Sequence, residues 1–142
     1  MCHKKPDIGE QVRIWQGSAH AKAFESLATA QAKEIGTKLG IADPQTSGKC
    51  LKCHSTAYDF MENKVSEKVP VEEGVSCESC HGAGKDYMKK SLMQDKAQAI
   101  ANGLIMPDEK TCTKCHNAES PVMKSFDFKK QWDMIKHPVP KP

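Results

Sequence analysis

Between Glu10 and Lys38 the chain is rich in Ala, Glu, Lys and Gln, which lose little side-chain freedom in a helix, and it reads as mostly helical. Gly17-Ser18 interrupts this stretch, with Ser18 placed to cap its second half. His20, Phe24 and Leu27 recur at i, i+4 and i+7 and share one face. Gly40 stands where a helix would end in a left-handed turn, and Pro44 to Gly48 reads as a loop. Lys64 to Gly74 is charged and carries Pro70, which predicts an extended or looped surface connection. Lys85 to Asn102 reads as helix with Gly103 as its stop. Pro107-Asp108-Glu109 opens a short helix, and Asp127 to Lys136 forms a last one with Phe128, Trp132 and Ile135 on one side. The tail Pro140-Lys141-Pro142 is expected to fray. No segment reads convincingly as a strand. The expected fold class is therefore mostly α, with little regular sheet and irregular helices and loops.

This pattern is thin in core material. Of 142 residues only 38% are hydrophobic and 6% aromatic, and the mean hydropathy is −0.62. A chain of this size normally needs a well-stocked apolar core. Either part of it is disordered or something other than side chains fills the interior. No apolar run is long enough to span a bilayer. The formal charge is +3, from 21 basic and 18 acidic residues, and Arg13 is the sole arginine. Arginine is the preferred reader of guanine edges and a frequent phosphate partner, so its scarcity argues against a nucleic-acid partner. The lysines read as a solvated surface.

Seven cysteines would suit a disulfide scaffold, but their spacing points elsewhere. Three pentads stand out: Cys50-Leu-Lys-Cys53-His54, Cys77-Glu-Ser-Cys80-His81 and Cys112-Thr-Lys-Cys115-His116. Each is C-x-x-C-H, the signature of c-type haem attachment. Two thiols three residues apart on a helical turn can add to the two vinyl groups of one porphyrin, and the histidine that follows then lies under the ring and ligates its iron. Chance would supply about 0.01 such pentads in a chain of this composition. Structural zinc needs four ligands, usually from paired knuckles, and six thiols with a histidine appended to each knuckle do not divide that way. Iron–sulfur clusters need four cysteines each and give the adjacent histidine no role. The cofactor reading is three haem c groups, held by Cys50, Cys53, Cys77, Cys80, Cys112 and Cys115, with His54, His81 and His116 as iron ligands. The macrocycles would serve as the missing core, packed closely because little chain is available to separate them. Their six propionates would bring the holoprotein near neutral or mildly acidic, against a sequence pI of about 8.4.

Three histidines remain, His3, His20 and His137. Three spare histidines for three irons is the count for bis-His ligation throughout, which predicts that no reduced iron binds carbon monoxide. Methionine could substitute and would raise the potential, but the seven methionines read as packing residues.

Several segments together carry a resemblance: Gln16-Gly-Ser-Ala-His20-Ala-Lys-Ala-Phe24, Lys49 to His54, Gly74-Val-Ser-Cys-Glu-Ser-Cys-His81-Gly-Ala-Gly84, Cys112 to His116, and Phe126-Asp-Phe-Lys running to His137-Pro138. They resemble the nitrifier tetrahaem cytochrome c family and related multihaem cytochromes, over roughly residues 8 to 138. The resemblance implies a mostly helical fold wrapped around closely packed covalent haems, located outside the cytoplasm. It implies His20 as distal ligand of the His81 haem and His137 as distal ligand of the His116 haem. It places the His54 haem at a position that is five-coordinate in the nitrifier protein. The start departs from the family pattern, since only Cys2-His3 stands where relatives carry a haem motif. Three readings stay open there. Cys2-His3 is the end of a fourth haem site, or a degenerate site with Cys2 lipid-bearing or intermolecular, or a source of His3 as ligand to the His54 haem.

The expectation is a single multihaem domain over residues 1–142. It divides into an N-terminal helical segment with a distal histidine (1–48), a haem-attachment region (49–116) and a C-terminal helix with its tail (117–142). Bis-His ligation closes both axial faces and favours outer-sphere electron transfer over substrate binding. The chain thus reads as an electron carrier rather than an enzyme, with redox proteins as donor and acceptor. No leader is visible at Met1-Cys2-His3-Lys4-Lys5, which reads as a mature periplasmic or extracellular chain whose targeting segment has been removed. Two alternatives remain: a haem enzyme or gas-binding protein with an open His54 haem, and a self-associating subunit of a conductive cytochrome filament.

Overall fold

A computed structural model describes residues 2–59, 62–123 and 125–138, and of Cys2 only the backbone. Helix dominates, in short pieces. After 3-10 turns at Cys2–Lys4 and Pro6–Ile8 come α1 (Gln11–Gln16), α2 (Ala23–Ser26) and α3 (Ala30–Lys38). The first pentad lies on α4 (Gly48–His54), and β1 (Tyr58–Asp59) and β2 (Lys64–Val65) follow. The second pentad is α5 (Cys77–His81), then α6 (Lys90–Met93) and α7 (Lys96–Ala101). The third begins on α8 (Glu109–Thr113), and α9 (Phe128–Ile135) is the last helix described.

The expected Glu10–Lys38 helix is divided into three. Its break is wider than Gly17-Ser18 because backbone groups there are drawn into tertiary contacts. Trp15 Nε1 donates to Val75 O at 2.8 Å, and His20 O accepts from Val75 N at 3.0 Å as well as from Ala23 N. Ser18 Oγ receives Ala21 N at 3.4 Å, so it closes a turn and does not cap a helix. Thr29 is the cap of α3, through Ala32 N at 3.2 Å. That helix ends as expected at Gly40, whose φ is +67°. Ile41 N bonds Gly36 O and Gly40 N bonds Thr37 O, the pair of bonds that closes a left-handed C-terminus.

Lys85 to Asn102 is likewise not one helix. Tyr87 turns inward, 6% exposed, to donate to His81 O at 2.9 Å. Asp95 Oδ1 accepts from Ala97 N and Gln98 N and starts α7 afresh. Asp108 begins α8 with a capping box to Thr111. That helix stops at Thr113, so Cys115 and His116 sit in the turn that follows. One strand pair exists where none was expected: Tyr58 faces Val65 and Asp59 faces Lys64, antiparallel. It is only two residues long on each side, with Asn63 at φ +51° on the return, which is why alternation could not signal it.

The buried apolar set is small: Leu27, Leu51, Ala57, Tyr87 and Ala99. The accessible surface is 10264 Å², whereas a folded chain of this mass exposes roughly 7,300 Å². Met88 and Met134 are more than 70% exposed and Met106 nearly half, so these three do not pack a protein core. The side chains alone do not close an interior. Among the described residues, no helix is long and apolar enough to cross a membrane.

Candidate haem sites

The first site is built on α4, which is anchored by Leu51 at 2% exposure. His54 Nδ1 meets Ala23 O at 2.8 Å. A carbonyl can only accept, so Nδ1 carries the proton and Nε2 presents its lone pair, the arrangement of metal-ligating histidines. Beside Cys50, Cys53 and His54 lies a cavity of about 630 Å³, walled by Ile35 of α3 and Leu39 just beyond it on one side and by Val122 on another. Its described lining contains no second histidine and no methionine.

The second site is held by its histidine from several directions. His81 Nδ1 donates to Ile105 O at 3.1 Å, while His81 O accepts from Ile105 N at 2.9 Å and from Tyr87. The His137 ring lies 5.8 Å from the His81 ring, centre to centre. Burial pushes the His81 imidazole below 6.5, and nearby His137 and His3 push it the same way.

At the third site the His116 ring stacks on Phe126 at 5.0 Å and 22°. The His20 ring lies 5.9 Å away at 66°. Burial lowers the pKa values of both. All three lowered imidazoles are therefore neutral near pH 7, the form that can bind a metal.

No disulfide joins the six pentad cysteines. Burial raises Cys50, Cys77, Cys80 and Cys112. Cys53 is drawn down to about 7 by a hydrogen bond from Cys115, which rises correspondingly. That contact brings the first and third pentads edge to edge, and Lys52 pairs with Glu119 across the same seam. Cys80 and Cys112 are close enough to raise Cys80 further. The first and second pentads are joined through Thr56, whose Oγ1 accepts from Ser76 N at 2.7 Å and whose N donates to Gly74 O at 2.8 Å.

These donors fit haem iron. An iron about 2 Å from a nitrogen of each of two imidazoles holds their ring centres roughly 6 Å apart. Both close pairs have that spacing. Among the described residues no three His, Cys, Asp or Glu converge to hold a bare metal ion, as a zinc site would require. Residues 1–82 match the family model described as cytochrome c554 and c-prime. Over 133 residues the chain is 32% identical to cytochrome c-554 of Nitrosomonas europaea, covering 81% of this chain and 53% of that one. The chain belongs to the cytochrome c554 family. It is a c-type cytochrome, and its cofactor is haem c. It spans about half the length of that curated relative. No solved structure matches it.

Within this cytochrome c554 family member the histidine pairs differ from those the resemblance implied. His20 lies beside His116, not His81, and His137 beside His81, not His116. The cause is visible in the backbone. His20 docks on the segment before the second pentad, its carbonyl on Val75 N, and its ring lies beside that of His116 in the third. Gly74 permits that docking: its φ is +65°, and a Cβ there would stand 2.7 Å from His20 O. His3 lies toward His81 and is absent from the described lining of the His54 cavity, so the structure does not place it to ligate the His54 haem. The Cys2 side chain, with its lipid or fourth-haem readings, lies outside the described residues, as does the tail from Val139. Sequence reasoning missed the Lys52–Glu119 seam and the Trp15–Val75 anchor, whose partners are far apart in the chain.

Proposed function

We propose that this chain is an extracytoplasmic electron-transfer protein carrying three haem c groups as one domain. In this reading His20 and His116 ligate one iron, His81 and His137 a second, and His54 alone a third. The observation that carries it is the pair of imidazole spacings, 5.9 and 5.8 Å, each pair including the histidine of an attachment pentad. Haem c supplies reversible one-electron chemistry when bound. The chain's residues supply attachment, orientation and order. The Ala23 and Ile105 carbonyls fix the tautomers and ring planes of His54 and His81. The Cys53–Cys115 and Cys80–Cys112 proximities set the third pentad beside both others, and Thr56 joins the first to the second, so the three proposed haems would form one close cluster for electron exchange. Gln11, Lys52 and Glu119 tie segments 1–48, 49–116 and 117–142 together, which supports the single-domain reading. Redox proteins are the proposed partners, with the periplasm as compartment.

The described lining of the His54 cavity holds no second histidine or methionine, which favours one second reading, that a small neutral ligand reaches the His54 iron. Titration of the reduced holoprotein with carbon monoxide tests both. One equivalent per chain is the expected result. No binding contradicts the open His54 face, and two or more equivalents contradict the paired ligation of the other irons.

A further inference from the structure

Gln11, the first residue of α1, is a buried polar side chain, 8% exposed, in a chain with few buried residues of any kind. Its Nε2 donates to Ile8 O at 2.6 Å and to Pro138 O at 3.1 Å, which uses both amide hydrogens. Its Oε1 is buried with no hydrogen-bond partner. An unsatisfied buried acceptor is unfavourable, so an apolar residue of the same size would suit packing better. What the amide adds at this position is its donor end. That donor reaches across 127 residues to the carbonyl that follows His137. The same carbonyl also accepts from His137 Nδ1, at 3.3 Å. Pro138 O is thus shared between the ring that faces His81 and a side chain fixed in the N-terminal segment.

The backbone is shaped for the same contact. Gly9 sits at φ +108°, and a Cβ on it would meet Gln11 Nε2 at 2.9 Å, Pro138 Cβ at 3.1 Å and Pro138 O at 3.2 Å. His137 itself is exposed and lies just beyond the end of α9. Ligand histidines keep their orientation through the acceptor on their second nitrogen, and here that acceptor is held only if something holds Pro138.

We infer that Gln11 is a positioning residue for His137, clamping the Pro138 carbonyl so that His137 stays over the His81 site. This rests on the His81–His137 pairing proposed above. Gln11 touches no reacting atom. It sets how firmly the sixth position of one haem is closed, and it makes that closure depend on the N-terminal segment, far away in sequence.

The test uses the holoprotein with its full complement of covalent haem, confirmed by intact mass. Gln11→Met keeps the volume and removes the donor. It is expected to give a high-spin fraction at one haem by electron paramagnetic resonance, with up to one additional equivalent of carbon monoxide bound on reduction. Added imidazole should restore the low-spin signal. Gly9→Ala should act in the same direction. In a His137→Ala background, where that haem is already open, Gln11→Met should change neither readout further. A Gln11→Met protein with unchanged spin state and carbon monoxide stoichiometry overturns the inference. So does an equal further change in the His137→Ala background, since that would show general loosening. If His137→Ala alone leaves every haem's spin state unchanged, the pairing itself fails, and the inference with it.

Discussion

At two of the proposed haem sites one nitrogen of the pentad histidine is anchored to the backbone and the other is left for the proposed iron. His54 and His81 show this directly, each with Nδ1 on a main-chain carbonyl. For His20, His81 and His116, burial lowers the pKa from 6.5. The unfolded chain then binds protons more readily than the folded one as pH falls through that value. For the polypeptide without haem, that contribution is full above about pH 6.5 and declines below it. Carboxylates such as Glu10, Asp108 and Glu119 are held below 4.5, 3.8 and 4.5 by hydrogen bonds and neighbouring cations, so their contribution is lost only at lower pH. In the holoprotein iron would occupy the ring nitrogen that a proton needs, so the low-spin absorption should stay level from about pH 7 to 5. Conversion to high spin within that window would contradict the proposed ligation. The proposed attachment residues stand out one by one in the sequence, because the pentad is a local pattern. Gln11 was not, because its meaning lies in a carbonyl 127 residues away.

The attachment helices are seven, five and five residues long, too short to persist in isolation. They are held by what docks on them. The segment before α5 is an example: Val75 takes a hydrogen bond from Trp15 and gives one to His20 O, and Gly74 lets the two backbones meet. Gly74→Ala would place a side chain at φ +65° and 2.7 Å from that carbonyl. It should destabilise the fold by about 2 kcal/mol or more, a drop in thermal midpoint on the order of 8 °C for a chain this size. Thermal unfolding followed by circular dichroism reads this, and a midpoint within about 2 °C of the parent would contradict it. The helix ends at Gly40 and Gly103 could be read in advance, since both carry the left-handed φ that glycine allows. The breaks at His20 and Asp95 could not. Composition there favours helix, and the competing interactions, Val75 on one and a side-chain cap on the other, leave no periodic trace. The ring neighbours of His20 and His137 could not be read for the same reason, because a backbone contact beside one pentad says nothing of where the ring points.

At the scale of the molecule, shortage of apolar residues and excess of surface are one fact. The 38% hydrophobic content reappears as 10264 Å² of accessible surface, about 40% above that of a folded chain of this mass. Three planar macrocycles, bonded at Cys50 to His54, Cys77 to His81 and Cys112 to His116, would occupy that interior, and their propionates would offset the formal charge of +3. Covalent attachment suits such a fold, since it retains cofactors that a thin layer of protein could not hold by contact alone. The central claim is that these three pentads each carry a haem. Intact mass of the native, coloured protein tests it most directly. The expected mass is that of the chain plus three haems, each retained after acid denaturation. A mass equal to the bare chain, or fewer than three retained haems, would contradict it.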